Sequence, residues 1–189
     1  MLEAKRLEGR SYYLRPVEDA DRDAIRDILA SDPDNWSIQT VSALGEAFDS
    51  YWSNMLSMPG RITFCVVEVA TGEVVGTSSF VSVDEAHRTV EIGYTFYLPR
   101  VRGTRANPET KWLMLNEAFS AGFIRVQFSV SEANKHSQAA VSKLGAVREG
   151  VLRNHRITWN GSRRNTVIFS IIETDWPAIK SQLLARLQD

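Results

Sequence analysis

Three extended segments follow one another between residues 61 and 98, and this run limits the possible folds more than any other part of the chain. Their sequences, RITFCVVEVA, EVVGTSSFVSV and TVEIGYTFYL, are rich in β-branched and aromatic residues, which favour strands. Only Thr71-Gly72 and the polar segment DEAHR separate them. Strands joined by such short turns pair in antiparallel order. We therefore predict an antiparallel meander in the middle of the chain.

Helical signals replace strand signals where the third segment ends. A polar, glycine-bearing turn leads into a predicted helix with Asn107 as its cap, Pro108 at its first position and Glu109 in its first turn. This helix should run to about Ala121, and residues 125 to 130 then alternate as a strand. A strand, a helix and a strand in succession usually form a parallel pair through a right-handed crossover. The chain should thus form an α/β fold with a mixed central sheet.

The remaining segments predict helices and strands at both ends of this central region. They are a strand at 11–17, helices at 18–30, 43–57 and about 134–144, a hairpin of VLRNHRITW and RNTVIFSIIE around Asn160-Gly161, and a last helix from about 175 to 187. Gly145 is expected to end the helix at 134–144. No repeat, low-complexity tract or linker divides the sequence, so residues 1–189 are predicted to form a single domain.

The charge balance and the hydropathy argue against several kinds of partner. With 22 Lys and Arg against 23 Asp and Glu, the net charge is -1, which argues against a nucleic-acid or an anionic-membrane partner. No stretch approaches the roughly 20 apolar residues of a membrane span. The segment MLEAKRLEGR lacks the apolar core of a secretory signal. We expect a cytoplasmic protein.

The cysteine and the histidines suggest no metal and no thiol chemistry. Cys65 is the only cysteine and lies in the apolar run FCVV, where a buried, inert thiol is expected rather than a nucleophile. His87, His136 and His155 are far apart and lack the i, i+4 spacing of a helical metal pair. We therefore predict no metal site.

The turn before the central helix is a candidate phosphate site. A strand that ends in a turn opening a helix directs several unpaired backbone N–H groups at one point, and the helix dipole adds positive potential there. The kinase and GTPase loop G-x-x-x-x-G-K-[ST] and the dinucleotide fingerprint G-x-G-x-x-G are both absent. A phosphate bound here would belong to another class of ligand.

A longer run of residues carries a resemblance to a known family. The run VEIGYTFYLPRVRGTRANPETKWLML, followed by RVQFSVSEANKHSQAAVSKLGAVREGVLRNHRITWNGSRRNTVIFSIIETDWPAIK, resembles the RimJ/RimL-like branch of the GNAT acetyltransferases. The resemblance covers about Ser11 to the C-terminus and is densest from Val90 to Trp176. It implies a sheet splayed between its fourth and fifth strands, with acetyl-CoA in the cleft as co-substrate. It also implies direct transfer of the acetyl group to a primary amine in a ternary complex, without a metal, and favours a homodimer.

The resemblance places cofactor-binding residues at three points of the sequence. Arg100 to Arg105 match the family's pyrophosphate loop, Q/R-x-x-G-x-G/A, except that Arg105 stands where a small residue is usual. The end of the fourth strand resembles the segment whose main chain pairs with the pantetheine arm, and Asn134 and Ser137 match the family's N-x-x-S. The residues implied are Phe96, Tyr97, Arg102, Gly103, Thr104, Arg105, Ala106, Asn107, Asn134 and Ser137. Arg105 either pairs with a CoA phosphate or is a solvated surface arginine.

Two residues are implied in catalysis, Glu91 and Ser137. An amine must lose a proton before it attacks a thioester, since a free α-amine has a pKa of about 7.7–8.0 and a lysine one of about 10.4. Glu91 resembles the acidic position of this branch and would take that proton through water; otherwise it is an exposed strand-end carboxylate or an ion-pair partner. Ser137 would protonate the leaving thiolate, and it also suits the first turn of a helix capped by Asn134. A strand amide near Phe96 would meet the charge that develops on the carbonyl oxygen.

The sequence leaves the acceptor open. A protein N-terminal α-amine and a small-molecule amine fit equally well, and a CoA-binding regulatory module without turnover is the main alternative from another class. An interaction domain that binds no CoA is a third possibility. Trp36, Tyr51 and Trp52 lie in the part that flanks the acceptor pocket in this family, although aromatic residues of this kind are more often core.

Overall fold

The computed structural model describes residues 1–188. The seven strands are β1 (Tyr12–Pro16), β2 (Ile62–Glu68), β3 (Val74–Asp84), β4 (Thr89–Tyr97), β5 (Arg125–Ser131), β6 (Val147–Ile157) and β7 (Arg163–Ile172). The α-helices are α1 (Arg22–Ala30), α2 (Ala47–Ser57), α3 (Ala106–Ser120), α4 (Lys135–Ser142) and α5 (Trp176–Gln188). Short 3-10 turns lie at Asp19–Asp21, Pro33–Ile38 and Pro99–Val101. No helix among the residues described is long and apolar enough to cross a bilayer.

All seven strands form one sheet in the order β1-β2-β3-β4-β5-β7-β6. Every neighbouring pair is antiparallel except β4 and β5, which are parallel. That parallel pairing joins only Thr89–Glu91 to Arg125–Gln127, and beyond these residues the two strands separate. The mixed sheet, the meander, the strand-helix-strand unit and the splay between the fourth and fifth strands are therefore confirmed.

Alternation along the strands gives the sheet two different faces. On one face, which we call the α3 face, apolar strand residues such as Val90 and Phe128 pack with Met114 of α3 and with α5. On the other, the α2 face, Cys65 packs with Phe48 and its neighbours in α1 and α2. Successive side chains of a strand point to opposite faces, so strands β1 to β4 contribute to both clusters. The predicted burial of the Cys65 thiol is confirmed, and burial raises its pKa.

A bulge interrupts β4 near its end. Ser79 pairs with Gly93 but Thr77 pairs with Phe96, so β4 carries one more residue than β3 over this stretch. Tyr94 has a φ of +48°, in the left-handed region that a bulged residue adopts. The extra residue changes which side chains face α3, because side chains alternate along a strand.

Helix α3 begins two residues earlier than predicted and is capped differently. Its N-cap is Arg105 rather than Asn107, and Pro108 is the third helical residue. Thr104 is the reason: its hydroxyl donates to the carbonyl of Val101 at 2.7 Å and accepts the N–H of Ala106 at 3.2 Å. A side chain before the helix thus satisfies a first-turn N–H group, and Asn107 is not needed as a cap.

Two helices near the N-terminus are shorter than predicted. In the segment expected to be helical at 18–30, Asp21 bonds the N–H of Glu18 at 2.8 Å and forms an ion pair with Arg15, which closes a separate turn before α1. In the segment expected at 43–57, Gly45 has a φ of +56°, a left-handed conformation that a helix does not contain, so α2 starts at Ala47.

The buried carboxylate of Glu109 attaches the N-terminal segment to α3. Its Oε1 accepts the N–H groups of Arg10 and Ser11, the latter at 2.8 Å. Only 4% of Glu109 is exposed. The Glu109 carboxylate therefore fixes the N-terminal segment to α3, and we call this its anchor role.

The C-terminal hairpin reaches across the α2 face. Its loop contains three residues, because Thr158 N–H donates to the carbonyl of Ser162, and Gly161 has a φ of +85°. At the tip, Trp159 donates its backbone N–H to Gln39 at 3.1 Å and its indole N–H to the carbonyl of Trp36 at 2.7 Å. The hairpin thus closes over the turn at Pro33–Ile38. The predicted hairpin is confirmed.

Candidate active site

The gap between β4 and β5 is open to a ligand along its outer part. Leu98 donates its N–H to Val75 of β3, so the alternation of an antiparallel strand directs the N–H of Tyr97 away from β3 and towards the gap. The carbonyl of Tyr97 is already used, because Arg102 Nε donates to it at 3.0 Å. Tyr97 therefore offers one backbone donor to the gap.

Three more backbone donors lie where the gap meets the start of α3. The N–H groups of Gly103, Arg105 and Asn107 have no hydrogen-bond acceptor within residues 1–188. Gly103 has a φ of +74°, and a Cβ there would meet no atom within 4 Å, so its surroundings are open. The positive end of the 15-residue helix α3 adds to the potential at this point. Such a turn fits an anionic diphosphate.

The long side chains of the same turn have partners of their own. Arg102 Nη1 donates to Asp32 at 2.8 Å, and Arg105 Nη1 donates to the carbonyl of Leu187, near the end of α5, at 3.1 Å. Arg105 is half-buried, so it is not the solvated surface arginine of one interpretation, and pairing with a phosphate would require it to leave Leu187. The backbone donors of the turn remain available to a ligand.

Ala106 and Asn107 support the turn from the protein side. Ala106 is fully buried and packs with Val101 and Tyr97. Asn107 Oδ1 accepts a long hydrogen bond of 3.5 Å from the hydroxyl of Tyr97. The turn is thereby held against the end of β4.

Asn134 and Ser137 lie just past the end of β5, on the other side of the gap. Asn134 caps α4 as predicted, since its Oδ1 accepts the N–H of Ser137 at 2.9 Å. Its Nδ2 donates to Asn35 at 3.4 Å. The Ser137 hydroxyl is half-buried and has no partner among the residues described, so the capping role leaves this group free for chemistry.

Glu91 lies at the point where β4 and β5 separate, on the α2 face. Its Oε2 accepts from Ser129 Oγ at 2.9 Å and from Gln127 Nε2 at 3.3 Å. Burial raises the pKa of Glu91, against the hydrogen bonds from Ser129 and Gln127, which act to lower it. The carboxyl is half-buried and forms no ion pair within residues 1–188, so it is neither exposed nor a salt-bridge partner. A carboxyl with a raised pKa beside an open cavity is the kind of group that serves as a general base.

A cavity of about 310 Å³ opens in front of Glu91. Its lining also contains Arg125, Gln127, Ser129, Leu152, His155, Arg156 and Ile168. The cavity lies between β4, β5 and the C-terminal hairpin, so a molecule in it would approach the gap from the α2 face.

The aromatic residues of the N-terminal part are core, although one of them borders the gap. Trp36, Tyr51 and Trp52 are all buried in the cluster between the sheet and α2. Trp36 stacks on Phe96 of β4, with ring centroids 5.0 Å apart. The stacking fixes the ring of Phe96 against Trp36.

Two groups of residues were not predicted from the sequence. The first is Arg156 and Arg164, which stand opposite each other on β6 and β7. The second is Lys111 of α3, whose Nζ lies 2.9 Å from Ser78 Oγ and 2.6 Å from Thr95 Oγ1, with 4% of the residue exposed. Burial without an acidic partner lowers the pKa of Lys111 to about 7.

The histidines do not come together. His87 pairs with Asp84 at an exposed turn, His136 is exposed at the start of α4, and His155 lies on β6. In the part of the chain that the structure describes, no group of three or more His, Cys, Asp or Glu side chains is arranged to hold a metal ion.

Comparison with known proteins agrees with this geometry. Residues 12–147 match the family described as the acetyltransferase (GNAT) domain. The match covers most of the chain and includes β1 to β5 and the donor-rich turn. The chain belongs to the GNAT acetyltransferase family.

Individual relatives extend over nearly the full length. The "uncharacterized N-acetyltransferase YoaA" of Bacillus subtilis (strain 168) is 26% identical over 172 residues, which are 88% of this chain and 96% of that protein. The crystal structure of a GCN5-related N-acetyltransferase from Brucella melitensis is 26% identical, with a TM-score of 0.87 over 97% of this chain and 85% of that one. Mycobacterium smegmatis RimJ in complex with CoA-disulfide has the same fold at 19% identity, with a TM-score of 0.82 over 98% and 95% of the chains.

Proposed function

We propose that this acetyltransferase moves the acetyl group of acetyl-CoA to the nitrogen of a primary amine, by direct attack in a ternary complex. The observation that carries the proposal is the set of free N–H groups at Gly103, Arg105 and Asn107, at the open end of the gap between β4 and β5. The solved structure of Mycobacterium smegmatis RimJ is a complex with CoA-disulfide, which supports the choice of cofactor.

The residues on the two sides of the gap suit the parts of CoA. The three free N–H groups would bind the diphosphate, and the N–H of Tyr97 would pair with the pantetheine arm as a neighbouring strand does. Asn134 would contact the same arm from the side of β5. When bound, acetyl-CoA supplies the thioester from which the acetyl group is transferred.

The proton movements are assigned to Glu91 and Ser137. Glu91 takes a proton from the acceptor ammonium, through water, so that the neutral amine can form the new C–N bond. As the C–S bond breaks, Ser137 gives its hydroxyl proton to the thiolate and takes up the second proton of the attacking nitrogen, so that the amide nitrogen is neutral and the hydroxyl is restored. A strand amide near Phe96 would stabilise the charge that develops on the carbonyl oxygen.

Release of free thiol from acetyl-CoA in the presence of an amine panel tests this function. We expect amine-dependent release, about 10²-fold slower in Glu91→Gln and in Ser137→Ala. Glu85→Gln, at an exposed turn, is the matched control and should keep the wild-type rate. A protein that binds CoA by calorimetry but releases no thiol with any amine would be a regulatory module, and the catalytic proposal would be wrong.

We also propose a homodimer formed through β6. This strand ends the sheet, and it leaves apolar side chains exposed, among them Val147 (57% exposed) and Ile157 (58% exposed). An uncovered edge strand with apolar side chains is suited to pairing with a second copy. Light scattering after size exclusion should give the mass of a dimer, and Ile157→Asp should give that of a monomer; a wild-type monomer would contradict the proposal.

A cytoplasmic location stays a prediction from the sequence.

A further inference from the structure

Two arginines face each other across the C-terminal hairpin. Arg156 of β6 is the direct partner of Arg164 of β7. Side chains of directly opposite residues lie on the same face of a sheet, with Cβ atoms roughly 5 Å apart, and like charges in such positions destabilise the pair. This arrangement is unfavourable unless something negative lies between the two side chains.

Neither arginine has an acidic partner within residues 1–188. Arg164 is half-buried, its Nη1 donates to the carbonyl of Ile38 at 3.3 Å, and its Nε is buried without a partner. Arg125, in the same part of the sheet, shows what a satisfied arginine looks like here, because both its Nη1 and Nη2 bond Glu149 at 2.6 Å. The opposed arginines therefore have unused capacity to bind an anion.

The pair lies beside the cavity in front of Glu91. Arg156 lines that cavity together with His155, and Glu91 is its only acidic lining residue. Arg156 and Arg164 both favour the charged form of Glu91 through space, although neither forms an ion pair with it. The hairpin tip that carries Arg164 is fixed by the bond from Trp159 to Trp36, so the position of the guanidinium is defined.

We propose that the acceptor is a primary amine that also carries a carboxylate, which binds between Arg156 and Arg164 while the amine lies at Glu91. This inference rests on the proposed function and adds the class of acceptor. The cavity presents Glu91 to an ammonium, and Arg156 at its lining together with Arg164, the direct partner of Arg156, presents two cationic groups to a carboxylate. This matches an amino acid or a chain end that begins with an acidic residue. Polyamines lack the carboxylate and place a second positive charge beside the arginines, so they are poor acceptors.

Acceptor pairs that differ only in the acidic group test the inference. Initial rates are measured for glycine, β-alanine and 4-aminobutyrate against their carboxamides, and for short peptides beginning with Asp against those beginning with Asn. We expect kcat/KM to favour the carboxylate by at least tenfold in one of these sets, and the preferred set distinguishes a free amino acid from a peptide end. Spermidine should be poorer than any of the preferred acceptors.

Substitutions then assign the preference to the arginines. Arg156→Gln and Arg164→Gln should lower the ratio of kcat/KM for the carboxylate acceptors to kcat/KM for the carboxamides about tenfold to a hundredfold. Arg163→Gln is the matched control, because it removes the same charge from the neighbouring position, which points to the opposite side of β7. A fall for carboxylates and carboxamides alike would show a structural role and overturn the inference.

The failure of this inference is distinguishable from failure of the proposed function. If carboxamides react as fast as carboxylates, the acceptor inference is wrong and the acetyltransferase proposal stands. If no amine reacts, calorimetry with N-acetyl-β-alanine and an N-acetyl-Asp peptide in the presence of CoA decides: binding that Arg164→Gln removes supports the anion site, and absence of binding overturns it.

Discussion

Replacing the buried Lys111 by methionine should remove a pH dependence that the wild-type free energy of unfolding has. Lys111 Nζ contacts only the hydroxyls of Ser78 and Thr95, which also lie 2.8 Å from each other. Methionine has a similar length, and the two hydroxyls can keep their mutual hydrogen bond in its presence. The substitution therefore removes the titrating group and little else.

The sign follows from the proton balance of folding. The pKa of Lys111 is about 7 in the folded protein and about 10.5 in the unfolded chain. Between these values the unfolded state binds more protons, so wild-type stability rises with pH, by up to about 1.4 kcal/mol for each unit. Below pH 7 both states are protonated, and the full cost of burying the charge applies. From pH 6.5 to 8.5 the gain is about 2 kcal/mol.

Urea denaturation of the wild type and of Lys111→Met at pH 6.5, 7.5 and 8.5 measures this gain. The difference between the two proteins cancels every other titrating group, and it should change by about 2 kcal/mol in favour of the wild type as the pH rises. Lys143→Met, at an exposed position of the helix end, should show no such change. A difference for Lys111→Met that stays constant within about 0.5 kcal/mol would refute the argument that the buried amine is neutral above pH 7.

Three further substitutions test other parts of the structure. Glu109→Ala leaves the N–H groups of Arg10 and Ser11 without their carboxylate acceptor and should cost about 3 kcal/mol in urea denaturation, whereas Glu8→Ala, at an exposed ion pair, should cost under about 1 kcal/mol; equal losses would contradict the anchor role. Gly76→Ala places a Cβ 2.5 Å from the ring of Tyr97 and should cost about 1–3 kcal/mol and weaken CoA binding in calorimetry; unchanged affinity would show that the end of β4 does not contact CoA. The raised pKa of Glu91 stabilises the folded protein at low pH, and this stabilisation is lost as the pH rises through the pKa of the folded state. The melting temperature of Glu91→Gln should therefore rise relative to that of the wild type between pH 4 and 8. A difference in melting temperature that stays constant over this range would refute the raised pKa.

Elements with dense local signals were predictable to within a residue or two. The strand expected at 73–83 is β3 at Val74–Asp84, because its β-branched residues leave no helical alternative. The helix expected at 43–57 was too long, since the left-handed Gly45 is not visible as such in a sequence rich in helix formers. The loop residues of the candidate site, Gly103 to Asn107, were selected from the sequence because this turn matches a family motif whose backbone N–H groups bind phosphate.

Residues whose role depends on strand register were not predictable. A two-residue loop at Asn160-Gly161 would set Arg156 opposite Asn165, but the observed three-residue loop sets it opposite Arg164. A lysine within a helix is normally expected to face solvent, so the sequence does not indicate that Lys111 is buried. Only the bulge in β4 turns Thr95 towards Lys111. Both depend on a single extra residue, which local patterns do not specify.

Because β4 and β5 pair only at Thr89–Glu91, the hydrogen bonds between the two parts of the sheet are confined to one short overlap, about which these parts could rotate. Glu91 lies within this overlap, while the end of β4 lies about 20 Å away at the usual rise of roughly 3.3 Å per residue. A rotation of about 5° would move that far end by nearly 2 Å on this lever, and Glu91 hardly at all. The fold thus allows the outer end of the gap between β4 and β5 to widen for a bulky nucleotide, while Glu91, at which the proton would be exchanged, keeps its position.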